Sequence, residues 1–157
     1  VLWDVGAGCG SVAIEWMRSH PRCMAVAIEK SKTRLKMIEQ NAINLGVPLL
    51  KIVPGTLPDV LGNLALPDAI FIGGGLSNFK QKDSSSLLDL CWKLLKPGGR
   101  LVAHAVTFET EQQLLSWHKK NGGDLTRLSI SRADSIGKFN GWKPLRPVTQ
   151  YSVTKEY

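Results

Sequence analysis

The sequence predicts an α/β fold: an open, mostly parallel sheet with helices on both faces. Short apolar runs alternate with amphipathic stretches of helical period. Glycine-rich turns follow several of the runs. The chain is 157 residues long, enough for one compact domain and too short for two ordinary ones.

Taken in order, Leu2 to Val5 is a short apolar run ending in a glycine-rich turn, the pattern of a buried parallel strand. Ser11 to Ser19 reads as a helix stopped by Pro21. Met24 to Ile28 is a second strand, closed by Glu29. Ser31 to Leu45 is a helix with Leu35, Ile38, Ala42 and Leu45 at spacings of three and four, and Gly46 as its stop. Leu49 to Val53 is a third strand, followed by a short helical turn over Leu57 to Leu61. Asp68 to Ile72 is a fourth, running into Gly73-Gly74-Gly75. Ser84 to Leu95 is a helix with Leu87, Leu88, Cys91 and Leu95 on one side. After the Lys96-Pro97-Gly98-Gly99 turn come a fifth strand, Arg100 to Val106, and a helix from Glu109 to Asn121. Leu125 to Arg132 and Val148 to Thr154 are late strands, expected to pair antiparallel at one edge and to be joined by a basic connector.

Composition narrows the function classes. Hydrophobic residues make up 43% and charged residues 21%, a globular profile. No apolar run approaches the roughly 20 residues a bilayer span needs, and Asp4 breaks the N-terminal run too early for a signal peptide. Val1-Leu2-Trp3 opens directly into a strand, so the expectation is one domain over 1–157 with upstream sequence missing. Cys9, Cys23 and Cys91 form no CxxC pair and are expected in or near the core of a cytoplasmic protein. The net charge of +7 favours an acidic partner.

The chemistry concentrates in Asp4-Val5-Gly6-Ala7-Gly8-Cys9-Gly10, a glycine turn between a strand and a helix. Such a turn lets a ligand approach the backbone closely. Glu29 lies about 20 residues on, at the end of the second strand, where a carboxylate accepts from ribose hydroxyls. Asp4, just ahead of the loop, opposes a pyrophosphate and favours a cationic ligand. The pattern therefore points to S-adenosylmethionine (SAM), which carries an ammonium and a sulfonium, and away from a dinucleotide. The expected fold is a Rossmann-like class I SAM-dependent methyltransferase, with a mostly parallel seven-stranded sheet and a C-terminal antiparallel hairpin. The expected cofactor set is Asp4, Gly6, Ala7, Gly8, Gly10, Glu29, Gly55, Thr56, Leu57 and Gly73. Gly74, Gly75, Thr107 and Glu109 are the candidates at the reacting end of the pocket. No metal site is expected, because His20, His104 and His118 share no ligand spacing.

Four blocks, LWDVGAGCGSVAIEWMR, PDAIFIGGG, LKPGGRLVAHAVTFETE and GKFNGWKPLRPVTQYSV, resemble in order the decarboxylating precorrin methyltransferases of cobalamin biosynthesis. The resemblance implies methylation at C15 of a precorrin and decarboxylation of its C12 acetate. It further implies S-adenosylhomocysteine as product and homo-oligomers, tetramers among them, with no nucleic-acid or membrane partner. Two departures stand out: the family's segment before the first strand is absent, and the Leu76–Ser86 loop is polar and lysine-containing. An anionic tetrapyrrole calls for cations and a flat apolar surface, for which Arg132, Lys138, Trp142 and Arg146 are the candidates, with Lys143 a further cation. The rival readings are an RNA or tRNA methyltransferase of the same fold and a non-catalytic SAM-fold interaction module. The first lacks a recognisable RNA-binding module or an NPPY-like tetrad for a flipped base.

Overall fold

The computed structural model describes residues 1–62, 64–76 and 86–156. Its strands and helices are β1 (Leu2–Val5), α1 (Ser11–Ser19), β2 (Ala25–Glu29), α2 (Lys32–Asn44), β3 (Lys51–Pro54), β4 (Ala69–Ile72), α3 (Leu87–Leu94), β5 (Arg100–Ala105), α4 (Phe108–Asn121), β6 (Asp124–Leu128), β7 (Ser131–Ile136), β8 (Phe139–Pro144) and β9 (Val148–Thr154). Seven strands form one sheet in the order β3-β2-β1-β4-β5-β9-β6, and β7 and β8 form a separate two-stranded sheet. The first five strands pair in parallel, and β9 runs antiparallel between β5 and β6. The chain winds outward from β1 to β3, then returns to β4 on the other side of β1. That reversal opens a crevice at the carboxyl ends of β1 and β4, where ligands of such sheets bind.

Residue parity along the central strands explains how the two faces are filled. Leu2, Ala25, Ala27 and Ala69 belong to the cluster under α1 and α2, together with Ala13, Ile14, Ile38 and Ala42. Trp3, Val5, Val26, Ile28, Ile70 and Ile72 belong to the opposite cluster, with Leu88 and Cys91 of α3 and Leu114 and Trp117 of α4. Small alanines let α1 and α2 approach closely, while the larger side chains fill the space under α3 and α4. Each fully buried Ile or Leu contributes roughly 2 kcal/mol. The same parity sends Asp4 and Glu29 to the α1–α2 side, on neighbouring strands with Asp4 level with Ala27.

Several expectations shift. Met24 is 63% exposed and Leu49 is 89% exposed, so β2 and β3 begin one and two residues later than the apolar runs suggest. Leu45 is exposed beyond the end of α2. Leu57 to Val60 form the expected short turn, closed by the Val60 N–H to the Thr56 carbonyl at 3.3 Å and the Leu61 N–H to the Pro58 carbonyl at 3.0 Å. The late pair β6 and β9 are antiparallel neighbours, but β9 lies inside the sheet and only β6 is an edge. The expected connector contains a hairpin, β7–β8, turning at Gly137-Lys138 with Gly137 at φ 60. Cys91 is buried, which pushes its thiol up to about 12, whereas Cys9 is exposed because it rides the outside of the glycine turn. The Ser84 start of the third long helix lies outside the described residues, as does most of the Leu76–Ser86 loop; α3 is described from its Ser86 cap.

No described helix is long and apolar enough to cross a membrane. Two surface grooves lie away from the crevice. One, of about 540 Å³, runs between α3 and α4. The other, of about 790 Å³, lies over β4, β5 and β9 on the α1 side, lined by Trp16, Phe71, Val102, His104 and Gln150. There His104 bonds Gln150 through Nε2 at 2.9 Å and meets the Phe71 ring edge-on, so it is a satisfied groove residue.

Candidate functional site

The crevice is built by backbone meeting backbone. Gly6 sits at φ 73, and a Cβ there would meet the Gly74 backbone at 3.0 Å. The loop after β1 and the loop after β4 therefore touch with no room for a side chain. Gly73 donates its N–H to the Val5 carbonyl at 3.0 Å, which locks the two loops together. Gly10, at φ 82, lies against Ile38 of α2, where a Cβ would come within 2.9 Å. Gly8, Gly74 and Gly75 behave differently: among the described residues, a Cβ at any of them meets nothing within 4 Å. Against the described residues these three positions are open, and Gly6 and Gly10 hold the walls beside them.

Two buried carboxylates organise the loop. Gly10 caps α1 but has no side chain to accept the helix's first N–H groups. Asp4 supplies the acceptor from the strand below: its Oδ2 takes the Ala13 N–H at 3.1 Å. Its Oδ1 is buried with no hydrogen-bond partner among the described residues. Burial, partly offset by the Ala13 N–H and reinforced by the negative charge of Glu29, pushes Asp4 up to about 6. A desolvated carboxylate with a spare oxygen is suited to a cationic ligand.

Glu29 is only 4% exposed and already heavily engaged. Its Oε1 accepts from the Lys30 and Ser31 N–H groups, both at 2.9 Å, and its Oε2 accepts from Gly8 at 3.0 Å. Arg34 approaches Oε2 at 3.8 Å. From the sequence, Glu29 is expected to accept from ribose hydroxyls. In the folded chain it also ties the glycine loop to the start of α2, and Oε2 has the greater remaining capacity. Asn41 is a further anchor that sequence reasoning missed: its Nδ2 donates to the Cys9 carbonyl at 3.0 Å. No local pattern signals it, because it lies 32 residues from its partner.

The other candidates separate by position. Gly55 follows β3 at φ 135, donates to the Glu29 carbonyl at 3.0 Å, and would strike Val60 if it carried a Cβ. Thr56 bonds Asp59 at 3.3 Å. Leu57 is 5% exposed and joins the core beneath α3, so its side chain is a packing residue. Ala7 is likewise buried, in the cluster under α1 and α2. Thr107 caps α4 in a reciprocal pairing with Thr110. Glu109 is exposed, and its own backbone N–H and the Thr107 hydroxyl hold its carboxyl below the usual range.

Arg132, Lys138, Trp142 and Arg146 lie on or beside the β7–β8 hairpin, which we call the arm. Strand pairing sets Arg132 opposite Lys143 and Ala133 opposite Trp142. Arg132 and Lys143 therefore share one face with Asp134, which bonds Lys143 at 2.9 Å, and Trp142 points from the other face. The expected grouping of Arg132 with Trp142 is thus divided between two faces. Lys138 is in the turn at the tip, and Arg146 is at the base. Among the described residues, no group of three or more His, Cys, Asp or Glu is arranged to hold a metal.

Comparison with known proteins agrees with this architecture. The family model described as "Precorrin methyltransferase domain" matches residues 1–155. A precorrin-6Y C(5,15)-methyltransferase [decarboxylating] from Sinorhizobium sp is 47% identical over 99% of this chain, which spans 36% of that protein's length. A cobalt-precorrin-6B C(15)-methyltransferase (decarboxylating) from Salmonella typhimurium is 31% identical over 99% of the chain and 79% of its own length. The crystal structure of the C-terminal domain of precorrin-6Y C5,15-methyltransferase from Rhodobacter capsulatus superposes with a TM-score of 0.85 at 39% identity, covering 98% of this chain and 79% of that one. With a seven-stranded sheet of this order and a family model matched almost end to end, the chain belongs to the precorrin methyltransferase domain family.

Proposed function

We propose that this chain methylates C15 of a precorrin from SAM and decarboxylates the C12 acetate, in cobalamin biosynthesis. The longer relative is named for C5 and C15 and the shorter one for C15 alone, and both are named as decarboxylating. This chain aligns with the shorter one over most of its length, which supports the shared C15 and decarboxylating activity as its own.

The observation that carries the reading is the open crevice at Gly8, Gly74 and Gly75, bounded by Asp4 and Glu29. SAM, when bound, supplies a methyl group on a sulfonium and leaves as neutral S-adenosylhomocysteine. Asp4 Oδ1 provides negative charge for the cationic end, and Glu29 Oε2 provides an acceptor for the ribose. Gly6, Ala7, Gly10, Gly55, Thr56 and Leu57 shape the walls. Gly73 to Gly75 leave room beside β4 for the reacting carbon to line up with methyl and sulfur. Positioning and exclusion of water are the main work, since a neutral leaving group needs no acid. In the decarboxylation the bond between the acetate methylene and its carboxyl carbon breaks. The electron pair enters the conjugated macrocycle, CO₂ departs, and a proton returns to leave a methyl group. Arg132, Lys138, Trp142 and Arg146 serve the anionic substrate. The exposed Ile136 and Phe139 at the arm's tip, 66% and 79% exposed, support assembly into a homo-oligomer.

Calorimetry with SAM tests the site. Glu29→Ala removes the ribose acceptor and strands three N–H groups, so affinity should fall about 30-fold. Unchanged affinity overturns the cofactor assignment. Mass spectrometry of a precorrin turned over by the wild type should show one methyl gained and one CO₂ lost; a methyl gain without CO₂ loss overturns the decarboxylating role.

A further inference from the structure

We infer that Phe108 is a substrate-positioning residue. Its ring, with Val106 beside it, forms an apolar seat for the flat face of the tetrapyrrole, and Arg146 holds one of the substrate's carboxylates. This rests on the proposed function above.

β5 ends at Ala105, and α4 begins at Phe108. The corner between them exposes two apolar side chains, Val106 at 54% and Phe108 at 88%. The residues that α4 buries, Leu114 and Trp117, come later in the helix, so Phe108 is not part of its packing face. The reciprocal Thr107–Thr110 cap fixes the corner, so the ring stands on a rigid turn. A phenylalanine left in water on a fixed turn favours an apolar cover.

Position and charge identify the cover. β5 pairs with β4, Ile72 level with Ala103, so the corner leaves the sheet one strand from Gly73–Gly75. On its other side β5 pairs with β9, Ala105 level with Thr149. Arg146, an exposed cation, lies three residues before Thr149 on the segment that leads into β9, at the same end of the sheet as the corner. A flat ring with carboxylates on its rim meets apolar surface below and a cation at the side, one strand from where the methyl would be delivered. A purely apolar ligand would not need Arg146, and a nucleotide would need more cations than this corner offers.

Uroporphyrin, an octacarboxylate tetrapyrrole, serves as the binding probe by fluorescence titration, with SAM affinity and thermal melting measured on the same proteins. Phe108→Ala should weaken uroporphyrin binding about ten-fold, while Phe108→Trp should keep it within about two-fold, since a ring of either type covers the same face. SAM affinity and melting temperature should not move in either variant. Arg146→Gln should weaken binding at low salt and matter less as salt rises. Phe108→Ala binding uroporphyrin as the wild type does, or losing SAM affinity in equal measure, overturns the seat. An Arg146→Gln effect independent of salt overturns the carboxylate grip. If the wild type binds SAM but no tetrapyrrole, the proposed function itself fails.

Discussion

The glycine loop and the arm lie at the same end of the sheet and are built in opposite ways. The loop follows buried β1, and its walls are held by two carboxylates that are 1% and 4% exposed. Gly6, Gly8 and Gly10 all sit at positive φ, and Gly6 presses on Gly74. The arm is a two-stranded sheet of its own, exposed at nearly every residue, held by its internal pairing and by a Leu145 N–H to Ile130 carbonyl bond at 2.8 Å. An isolated hairpin is marginally stable. On the proposed function, the contrast pairs a preorganised pocket for a small cofactor with an adaptable surface for a large substrate or a second copy. A cofactor of fixed shape favours rigidity because ordering costs are met in folding; a large substrate favours a surface that can settle onto it.

The contrast is most easily broken at the loop. Gly6→Ala forces a side chain onto the Gly74 backbone at a strained φ. It should lower stability by roughly 2–3 kcal/mol and SAM affinity about 100-fold, read by urea unfolding and calorimetry. A tolerated alanine would mean that the two loops need not touch.

Asp4 gives the next effect, through pH. Burial holds its folded value at about 6, above the ordinary carboxylate value of 3.8. The folded state therefore holds a proton that the unfolded state has released between those values. Asp4's favourable contribution is complete below about pH 4 and is lost as the pH rises through about 6. For SAM the sign reverses, because a cation favours the ionised carboxylate. SAM affinity should fall several-fold from pH 7.5 to pH 5, and Asp4→Asn should bind more weakly at pH 7.5 while losing this dependence. A wild-type affinity flat across that range would refute Asp4 as the cation's partner.

The smallest expected effect is on the arm. Trp142→Ala and Arg132→Ala should each change stability by less than about 0.5 kcal/mol, because both side chains are exposed, while raising KM for the tetrapyrrole a few-fold. Since the two lie on opposite faces, their effects on KM should add; strong coupling in a double mutant would show that the two side chains act through one shared contact.

Much of this protein is legible along the chain. Buried parallel strands are mostly apolar, so β1, β2 and β4 announce themselves, and the glycines after β1 and β4 mark turns where backbone passes close to backbone. Helix periodicity located α2 and α3 to within a few residues. The arm is hidden because its two strands are exposed on both faces, leaving no alternation of apolar and polar residues to detect. The Gly137-Lys138 turn was its one local signal.

Sequence alone determined the α/β class, the strand–glycine–helix turn, and the presence of carboxylates at Asp4 and Glu29, because these depend on local backbone freedom and on hydrophobic runs. Tertiary structure decided what those carboxylates do. Asp4 accepts from the Ala13 N–H nine residues on and has no partner for its other oxygen among the described residues, and Glu29 accepts from three backbone N–H groups. It also separated Arg132 from Trp142 and left Phe108 exposed at the mouth of the sheet. Hydrogen-bond partners and exposed faces depend on which strands become neighbours, and that is a property of the whole chain's packing.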